Sequence, residues 1–232
     1  MYHSWNLRRL LRYLALDTAL VLAAILLTHL GKHHFPAVDS AGGVSLPVLM
    51  YHSVAPVPEQ QYCVTPETLE SDLRYLQAHG YETVSPEELV AYTNGNGTLP
   101  EKPVMLTFDD GLYNNLSLVL PLLETYDMCA VVSVVGIFTD EYAPDAPHND
   151  VYSYLTWEDL KQMHDSGRIT LGSHTYDMHE NGTRQGCAKT DWETEEEYHE
   201  TLYADLSLMQ TRFQEELQIQ PAVFAYPYGF VC

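Results

Sequence analysis

The sequence has 232 residues, a hydrophobic fraction of 46% and a formal net charge of −21. This length allows one sizeable hydrophobic core, or one domain with an additional membrane segment. The charge argues against a nucleic-acid partner, because phosphate binding requires clustered Lys and Arg. No such cluster follows the first twelve residues, so we expect no nucleic-acid partner.

A long apolar stretch, LLRYLALDTALVLAAILLTHL, occupies residues 10–30. About 20 apolar residues cross a bilayer as a helix, and the preceding Arg8, Arg9 and Arg12 favour a cytoplasmic N-terminus. We predict a cytoplasmic segment 1–9, one transmembrane signal anchor and an extracellular remainder. A cleaved signal peptide is the alternative, but its apolar core is ordinarily shorter and here a poor cleavage site follows.

The segment 31–45 contains Pro, two adjacent glycines and small polar residues, which indicates a linker. Residues 46–232 alternate between short apolar runs and amphipathic segments, which predicts an α/β domain. The predicted strands are 46–52, 81–84, 104–108, 130–135, 169–173 and 222–226. The predicted helices are 66–79, 86–92, 115–126, 156–166 and 195–217. Strands that are apolar throughout favour a parallel sheet covered on both faces.

Three short motifs follow predicted strands: TFDDG at 107–111, SHTYDMH at 173–179 and YPYG at 226–229. Each alone is a weak signal, since acidic residues often cap helices and histidines are often solvated. In a parallel sheet, however, the carboxyl ends of the strands meet at one edge. One carboxylate and two imidazoles there suit a divalent metal with open positions. A second, adjacent carboxylate can stay free as a base.

In order and spacing, these motifs resemble those of the polysaccharide deacetylases with a NodB homology domain (carbohydrate esterase family four). LMYHSV at 49–54 resembles the first strand of the branch that contains poly-N-acetylglucosamine deacetylases, and the spacing from His174 to His179 matches that branch. The resemblance covers about residues 46–229. It implies a distorted, incomplete (β/α) barrel of NodB type, here preceded by one transmembrane helix.

The resemblance also implies which residues act. Asp110, His174 and His179 are the expected ligands of a divalent metal, with zinc favoured and nickel, cobalt, iron or manganese as alternatives. Asp109 is the expected general base, and the backbone N–H of Tyr228 is the expected donor to the oxyanion.

His52 and Pro227 are expected to contact the substrate. Two departures from the family pattern are visible. Ala225 stands where many relatives carry an arginine that orients the base, and the later family motifs do not follow before Cys232. We therefore expect the deacetylase domain, 46–232, to be truncated at its C-terminal end.

The function implied is a membrane-bound hydrolase that acts on carbon–nitrogen bonds other than peptide bonds. Its expected substrate is an N-acetylated cell-surface polysaccharide of peptidoglycan or poly-N-acetylglucosamine type. Three alternatives stay open: an esterase that removes O-acetyl groups from xylan, an inactive truncated remnant that binds glycan or metal, and a membrane-tethered interaction domain that takes up no metal. The sequence gives no oligomeric state.

Overall fold

A computed structural model describes most of the chain. The described residues are 13, 17–18, 20–22, 43–57, 61–142 and 146–231. Contacts between Cα atoms divide the chain into two compact units, Met1–Gly43 and Val44–Cys232. The second unit contains the sheet and the predicted site.

The predicted segments 1–9, 10–30 and 31–45 lie mostly outside the described residues. In the part of the chain that is described, no helix has both the length and the apolar character needed to cross a bilayer. The transmembrane anchor therefore stays a prediction from the sequence.

In the second unit, the strands are β1 (Val48–Tyr51), β2 (Ser53–Val54), β3 (Cys63–Val64), β4 (Glu82–Thr83), β5 (Pro103–Phe108), β6 (Ala130–Val134) and β7 (Ile169–Ser173). The α-helices are α1 (Pro66–Ala78), α2 (Pro86–Thr93), α3 (Leu120–Tyr126), α4 (Gly136–Glu141), α5 (Trp157–Asp165) and α6 (Glu195–Leu217).

A parallel sheet lies at the centre of the unit. Its strand order is β1-β5-β6-β7, and β4 pairs with the first residues of β5. Tyr51 of β1 pairs with Phe108 of β5, and Val134 of β6 pairs with Ser173 of β7. Phe224 adds one parallel bridge to Ser173. The carboxyl ends of these strands consequently lie along one edge, as the predicted α/β class requires.

The central strands have apolar side chains on both faces, as expected for a covered parallel sheet. Every residue of β6 is buried, and in β5 all are buried except Thr107. Leu73, Leu123, Leu160 and Phe213, which come from four different helices, belong to the same apolar core. This core holds the strand ends, and the turns that follow them, in fixed positions.

Side-chain caps explain why the predicted helix starts are accurate. Ser85, Thr156 and Thr194 each accept a hydrogen bond from the N–H three residues later, and the acid at that position binds back to the cap residue. The short elements β2, β3 and α4 escaped prediction because they contain too few residues to show a periodic pattern.

Two predicted elements differ from the structure. The helix predicted for 115–126 begins with a π-helical turn, Asn115–Val119, before α3. Pro121 favours this change because it has no N–H to continue the regular α-helical pattern. The strand predicted for 222–226 is reduced to the bridge at Phe224. Prolines flank it on both sides, and they cannot donate to the hydrogen-bond ladder.

Candidate active site

The predicted site residues lie in turns at the carboxyl edge of the sheet. Asp109 and Asp110 follow β5, His174 follows β7, and Tyr228 lies in a short 3-10 turn. Asp110, Thr175 and Tyr228 have φ values of 74°, 73° and 56°, a region that residues other than glycine rarely adopt. Such strain costs on the order of 1–3 kcal/mol per residue and concentrates at functional sites.

Gly111 allows the chain to turn sharply after the two carboxylates. Its φ is +74°, and a Cβ at this position would lie 2.8 Å from Cγ1 of Val134 on β6. The Asp109 N–H still donates to the carbonyl of Tyr51 at 3.0 Å, so strand pairing continues up to the first carboxylate. The position of Asp110 is thus set by a turn that only glycine at 111 accommodates.

The side chains of Asp110, His174 and His179 converge. Oδ1 of Asp110 lies 3.1 Å from Nε2 of His179 and 3.6 Å from Nε2 of His174. One ligand atom from each of the three residues lies within 4.8 Å of the other two. Oδ1 is buried and has no hydrogen-bond partner of regular geometry in the described part of the chain.

The main chain fixes the orientation of the His174 ring. Its Nδ1–H donates to the carbonyl of Ala225 at 2.9 Å, so the neutral ring carries its lone pair on Nε2. Burial lowers the pKa of His174 to about 4, although the bond to Ala225 opposes this. At neutral pH, Nε2 is therefore an acceptor, and it faces a second acceptor, Oδ1 of Asp110.

The His179 ring is held by side chains. Its centroid lies 5.0 Å from that of His174 and 5.9 Å from that of Phe138. Its Nδ1 lies 3.4 Å from the hydroxyl of Tyr228, and the two ring centroids are 4.8 Å apart. Tyr228 itself is 48% exposed. The position of His179 consequently depends on these side chains and on the segment that joins it to His174.

The two adjacent carboxylates have opposite electrostatic surroundings. Burial, together with the charge of Asp110, raises the pKa of Asp109 to about 7, while His179 opposes the rise. Burial also raises the pKa of Asp110, but His179, His52 and His174 lower it by more, so its net shift is downward. Asp110 therefore stays ionised at neutral pH, whereas Asp109 is near its midpoint in the absence of a cation.

Three observations show that the cluster fits a divalent metal. Two imidazole nitrogens and one carboxylate oxygen are a common donor set for catalytic metals with open positions. In addition, a metal-binding histidine usually donates its other N–H to a carbonyl or carboxylate, and His174 does so to Ala225. Oδ1 of Asp110 is buried without a hydrogen bond of regular geometry among the described residues, and it is the acceptor that a cation would satisfy.

His52 lies beside this cluster. Its ring centroid is 5.0 Å from that of Tyr62. His52, Tyr62, Asp110, Leu112 and Val151 are among the residues that line a cavity of about 220 Å³. The cavity offers a compartment next to the candidate metal ligand, and the predicted contact of His52 with substrate stays a prediction.

Pro227 is buried and lies against the loop that contains Gly186. A Cβ at Gly186 would lie 2.5 Å from the carbonyl oxygen of Pro227, so the loop that precedes α6 packs directly on this turn. The structure shows the loop supporting the turn of Tyr228, with α6 beginning at Glu195. The substrate contact of Pro227 stays a prediction.

Sequence reasoning missed several contributors to the site. The carbonyl of Ala225 is a main-chain group without a side-chain signature, and Tyr62 lies in a loop without a motif. Gly186 is an isolated glycine in a polar loop, where a need for close approach is invisible without coordinates.

Comparison with known proteins adds to this geometry. The family model described as "Polysaccharide deacetylase" matches residues 96–231, which is more than half of the chain. The chain belongs to the polysaccharide deacetylase family. The family predicted from the motifs TFDDG, SHTYDMH and YPYG is therefore confirmed.

Two solved structures have a fold similar to that of this chain. A de-N-acetylase from Aggregatibacter actinomycetemcomitans is 27% identical with a TM-score of 0.70, and the match covers 81% of this chain and 80% of that one. IcaB from Ammonifex degensii is 28% identical with a TM-score of 0.68, covering 82% and 77%.

One curated relative of this chain is the poly-beta-1,6-N-acetyl-D-glucosamine N-deacetylase of Escherichia coli (strain K12). The two are 27% identical over 202 residues, which is 78% of this chain and 30% of the relative. The chain thus spans less than a third of the length of that protein.

Proposed function

We propose that this chain removes acetyl groups from an N-acetylated cell-surface polysaccharide, with a divalent metal bound by Asp110, His174 and His179. The main support for this proposal is that two hydrogen-bond acceptors face each other. Nε2 of His174, which carries a lone pair, lies 3.6 Å from the buried Oδ1 of Asp110. A cation between them removes the repulsion, and zinc, nickel, cobalt, iron or manganese all accept this donor set, with zinc favoured.

The residues around the cluster have distinct proposed roles. When bound, a divalent cation supplies a water of lowered pKa and polarises the acetyl carbonyl. Asp109, whose pKa is raised to about 7, accepts the proton that the attacking water loses. The backbone N–H of Tyr228 donates to the developing oxyanion. The C–N bond then breaks, acetate leaves, and the freed sugar amine takes up a proton. His52 and Pro227 flank the sugar.

The relatives and the charge of the chain support the substrate class. The Escherichia coli relative is named for deacetylation of poly-beta-1,6-N-acetyl-D-glucosamine. A net charge of −21 suits a neutral polymer, and it also suits the cationic amine that deacetylation produces. We therefore propose poly-N-acetylglucosamine or peptidoglycan as the substrate, rather than a polyanion.

We further propose that residues 10–30 anchor the chain in the cell membrane as a single pass, with 1–9 inside and 46–232 outside. The apolar run and its preceding arginines support this orientation. We also propose that the parallel sheet forms part of a distorted (β/α) barrel. Protease added to intact cells should remove a C-terminal epitope tag while sparing an N-terminal one. Protection of both tags would overturn the proposed orientation.

Metal analysis combined with an acetate-release assay tests the activity. The full chain, purified in mild detergent, should retain close to one metal ion. Asp110→Ala should lose the metal, whereas Asp109→Asn should keep it and release acetate about 10²–10⁴-fold more slowly. Asp191→Asn, which removes an exposed carboxylate, is the matched control and should behave as the wild type.

The substrate arms of the assay distinguish the alternatives. Release of acetate from oligomers of β-1,6-N-acetylglucosamine or from peptidoglycan supports the proposal. Release from acetylated xylan alone would identify an O-acetyl esterase. Metal binding without acetate release from any of these polymers would indicate an inactive remnant. Equal metal content in the wild type and Asp110→Ala would refute the ligand assignment.

A further inference from the structure

The segment that joins the two histidines, 174–179, has no helix or strand of its own. Its shape therefore depends on the partners of its backbone groups. The carbonyls of Thr175 and Tyr176 accept from the N–H groups of Gly136 and Ile137 at 3.1 and 2.9 Å, at the start of α4. The N–H of Thr175 donates to Oγ of Ser173 at 3.3 Å, and the N–H of Met178 donates to Oγ1 of Thr175 at 3.1 Å. These two bonds are local, because each spans three residues or fewer, and they do not connect the segment to a part of the chain that is distant in sequence.

The two residues that lie between Thr175 and Met178 both donate their backbone N–H groups to one carboxylate that is distant in the chain. The N–H of Tyr176 donates to Oδ1 of Asp205 at 2.8 Å, and the N–H of Asp177 donates to Oδ2 at 2.7 Å. Both oxygens of Asp205 are thus used on consecutive backbone groups. Hydrogen bonds to an ionised acceptor are about twice as strong as neutral ones, so Asp205 is a strong external restraint on this segment.

Asp205 is itself well anchored. It lies on α6 four residues before Met209 and eight before Phe213, which places all three on one helical face, and both apolar residues are fully buried. A Cβ at Gly136 would lie 2.5 Å from the Tyr176 ring and 2.8 Å from Sδ of Met209. Glycine at 136 therefore lets the helix and the histidine segment pack closely together.

The two metal-binding candidates depend on this restraint to different degrees. His174 is fixed independently, because its N–H donates to Val134 at 2.9 Å and its Nδ1–H donates to Ala225 at 2.9 Å. The contacts of the His179 ring are with side chains: its Nε2 lies 3.1 Å from Oδ1 of Asp110, and its Nδ1 lies 3.4 Å from the hydroxyl of Tyr228. The position of His179 therefore depends on the path of the segment as well as on these side-chain contacts.

We propose that Asp205 is a positioning residue that ties the 174–179 segment to α6 and so places His179 for metal binding. This inference rests on the proposed function, because it takes His179 to be a ligand. Asp205 touches neither metal nor substrate in this role. Its loss should weaken zinc binding by about 10–100-fold, the range typical for groups that orient a ligand.

Zinc affinity, measured by competition with a chromophoric chelator on the full chain, tests the inference. Asp205→Asn should weaken zinc binding about 10–100-fold, because the amide NH₂ turns a donor toward a backbone donor. It should also alter the visible absorption of the cobalt(II)-substituted protein, which reports ligand geometry. Asp205→Glu keeps the charge but displaces it by one methylene, so its zinc affinity should lie between those of Asp205→Asn and the wild type.

Glu200→Gln removes an exposed acid from the same helix and is the charge-matched control. It should leave the affinity and the spectrum unchanged. A lower melting temperature with wild-type zinc affinity and cobalt spectrum, in whichever Asp205 variants fold, would overturn the positioning role. No zinc uptake by the wild type would instead overturn the ligand assignment, and this inference with it.

Discussion

The carboxylates of Asp110 and Asp140 belong to two clusters that satisfy them very differently. Oδ1 of Asp140 accepts from Trp157 at 2.7 Å and from Arg212 Nη2 at 2.8 Å, and Oδ2 accepts from the hydroxyl of Tyr176 at 3.0 Å and from Arg212 Nε at 3.0 Å. Oδ1 of Asp110, in contrast, is buried without a regular donor among the described residues.

This difference distinguishes a carboxylate with a structural role from a carboxylate that binds a ligand. Burial raises the pKa of Asp140, but the bonds from Arg212, Trp157 and Tyr176 lower it by more. These partners are complete within the protein, so Asp140 needs no ligand. Oδ1 of Asp110 faces the acceptor nitrogen of His174 instead, and its 3.1 Å contact with Nε2 of His179 lacks regular hydrogen-bond geometry, so a cation can complete its coordination. A buried carboxylate whose neighbours are acceptors is therefore a better indicator of a metal than a buried carboxylate alone.

Matched amide variants of Asp140 and Asp110 should show the largest difference in stability. Asp140→Asn puts an NH₂ among donors and should destabilise the metal-free chain by about 2 kcal/mol, which lowers the melting temperature by about 4–8 °C for a chain of this size. Asp110→Asn should cause a smaller loss, because its NH₂ can donate to the lone pair on Nε2 of His174, which the carboxylate cannot do. Thermal unfolding followed by circular dichroism in EDTA measures both, and equal losses would refute the distinction.

Gly186→Ala tests whether the loop before α6 supports the turn of Tyr228 beside the metal cluster. The new Cβ would lie 2.5 Å from the Pro227 carbonyl at a φ of +51°, so we expect a loss of about 1–2 kcal/mol. Movement of the turn should also disturb the contact of Tyr228 with His179 and weaken zinc binding a few-fold.

The control for this substitution is Gly182→Ala in the same loop. Its Cβ would meet the end of the flexible Glu180 side chain at 3.2 Å, so the change should be nearly neutral. Chemical denaturation and chelator competition report the two effects. Equal stability of the two variants would show that the loop does not support the turn.

The smallest expected effect concerns Glu193, another carboxylate with complete partners. The hydrogen bond from Arg184, followed by those from Thr190, lowers the pKa of Glu193 to about 2. Because the folded pKa is depressed, its stabilising contribution is present above the unfolded value of about 4.3 and is lost as the pH falls toward 2. Glu193→Gln should therefore be less stable than the wild type at pH 6, and the difference should shrink between pH 4.5 and pH 2.

Urea denaturation at several pH values measures this change for Glu193→Gln beside the charge-matched Glu200→Gln. A stability difference from the wild type that does not vary with pH would contradict the assigned role of the Glu193 carboxylate.

The sequence predicted the elements that depend on local chemistry. Apolar runs located β5, β6 and β7, and capping residues such as Thr156 and Thr194 located helix starts. The strand ends then predicted which motifs share an edge. The sequence did not predict the long-range contacts. The hydrogen bond between His174 and Ala225 spans 51 positions in the chain, and the hydrogen bond between Tyr176 and Asp205 spans 29 positions. No periodicity in the chain encodes either pairing.

The left-handed backbone of Asp110, Thr175 and Tyr228 has a consequence for engineering. Glycine adopts these φ values without strain, so a selection for heat resistance alone would favour replacing them. Such a selection would erode the carboxylate, the histidine segment and the tyrosine turn together, because stabilising changes often reduce activity where a strained conformation serves it. Thermostable variants of this domain should therefore be sought in its core and surface loops, with these three positions held constant.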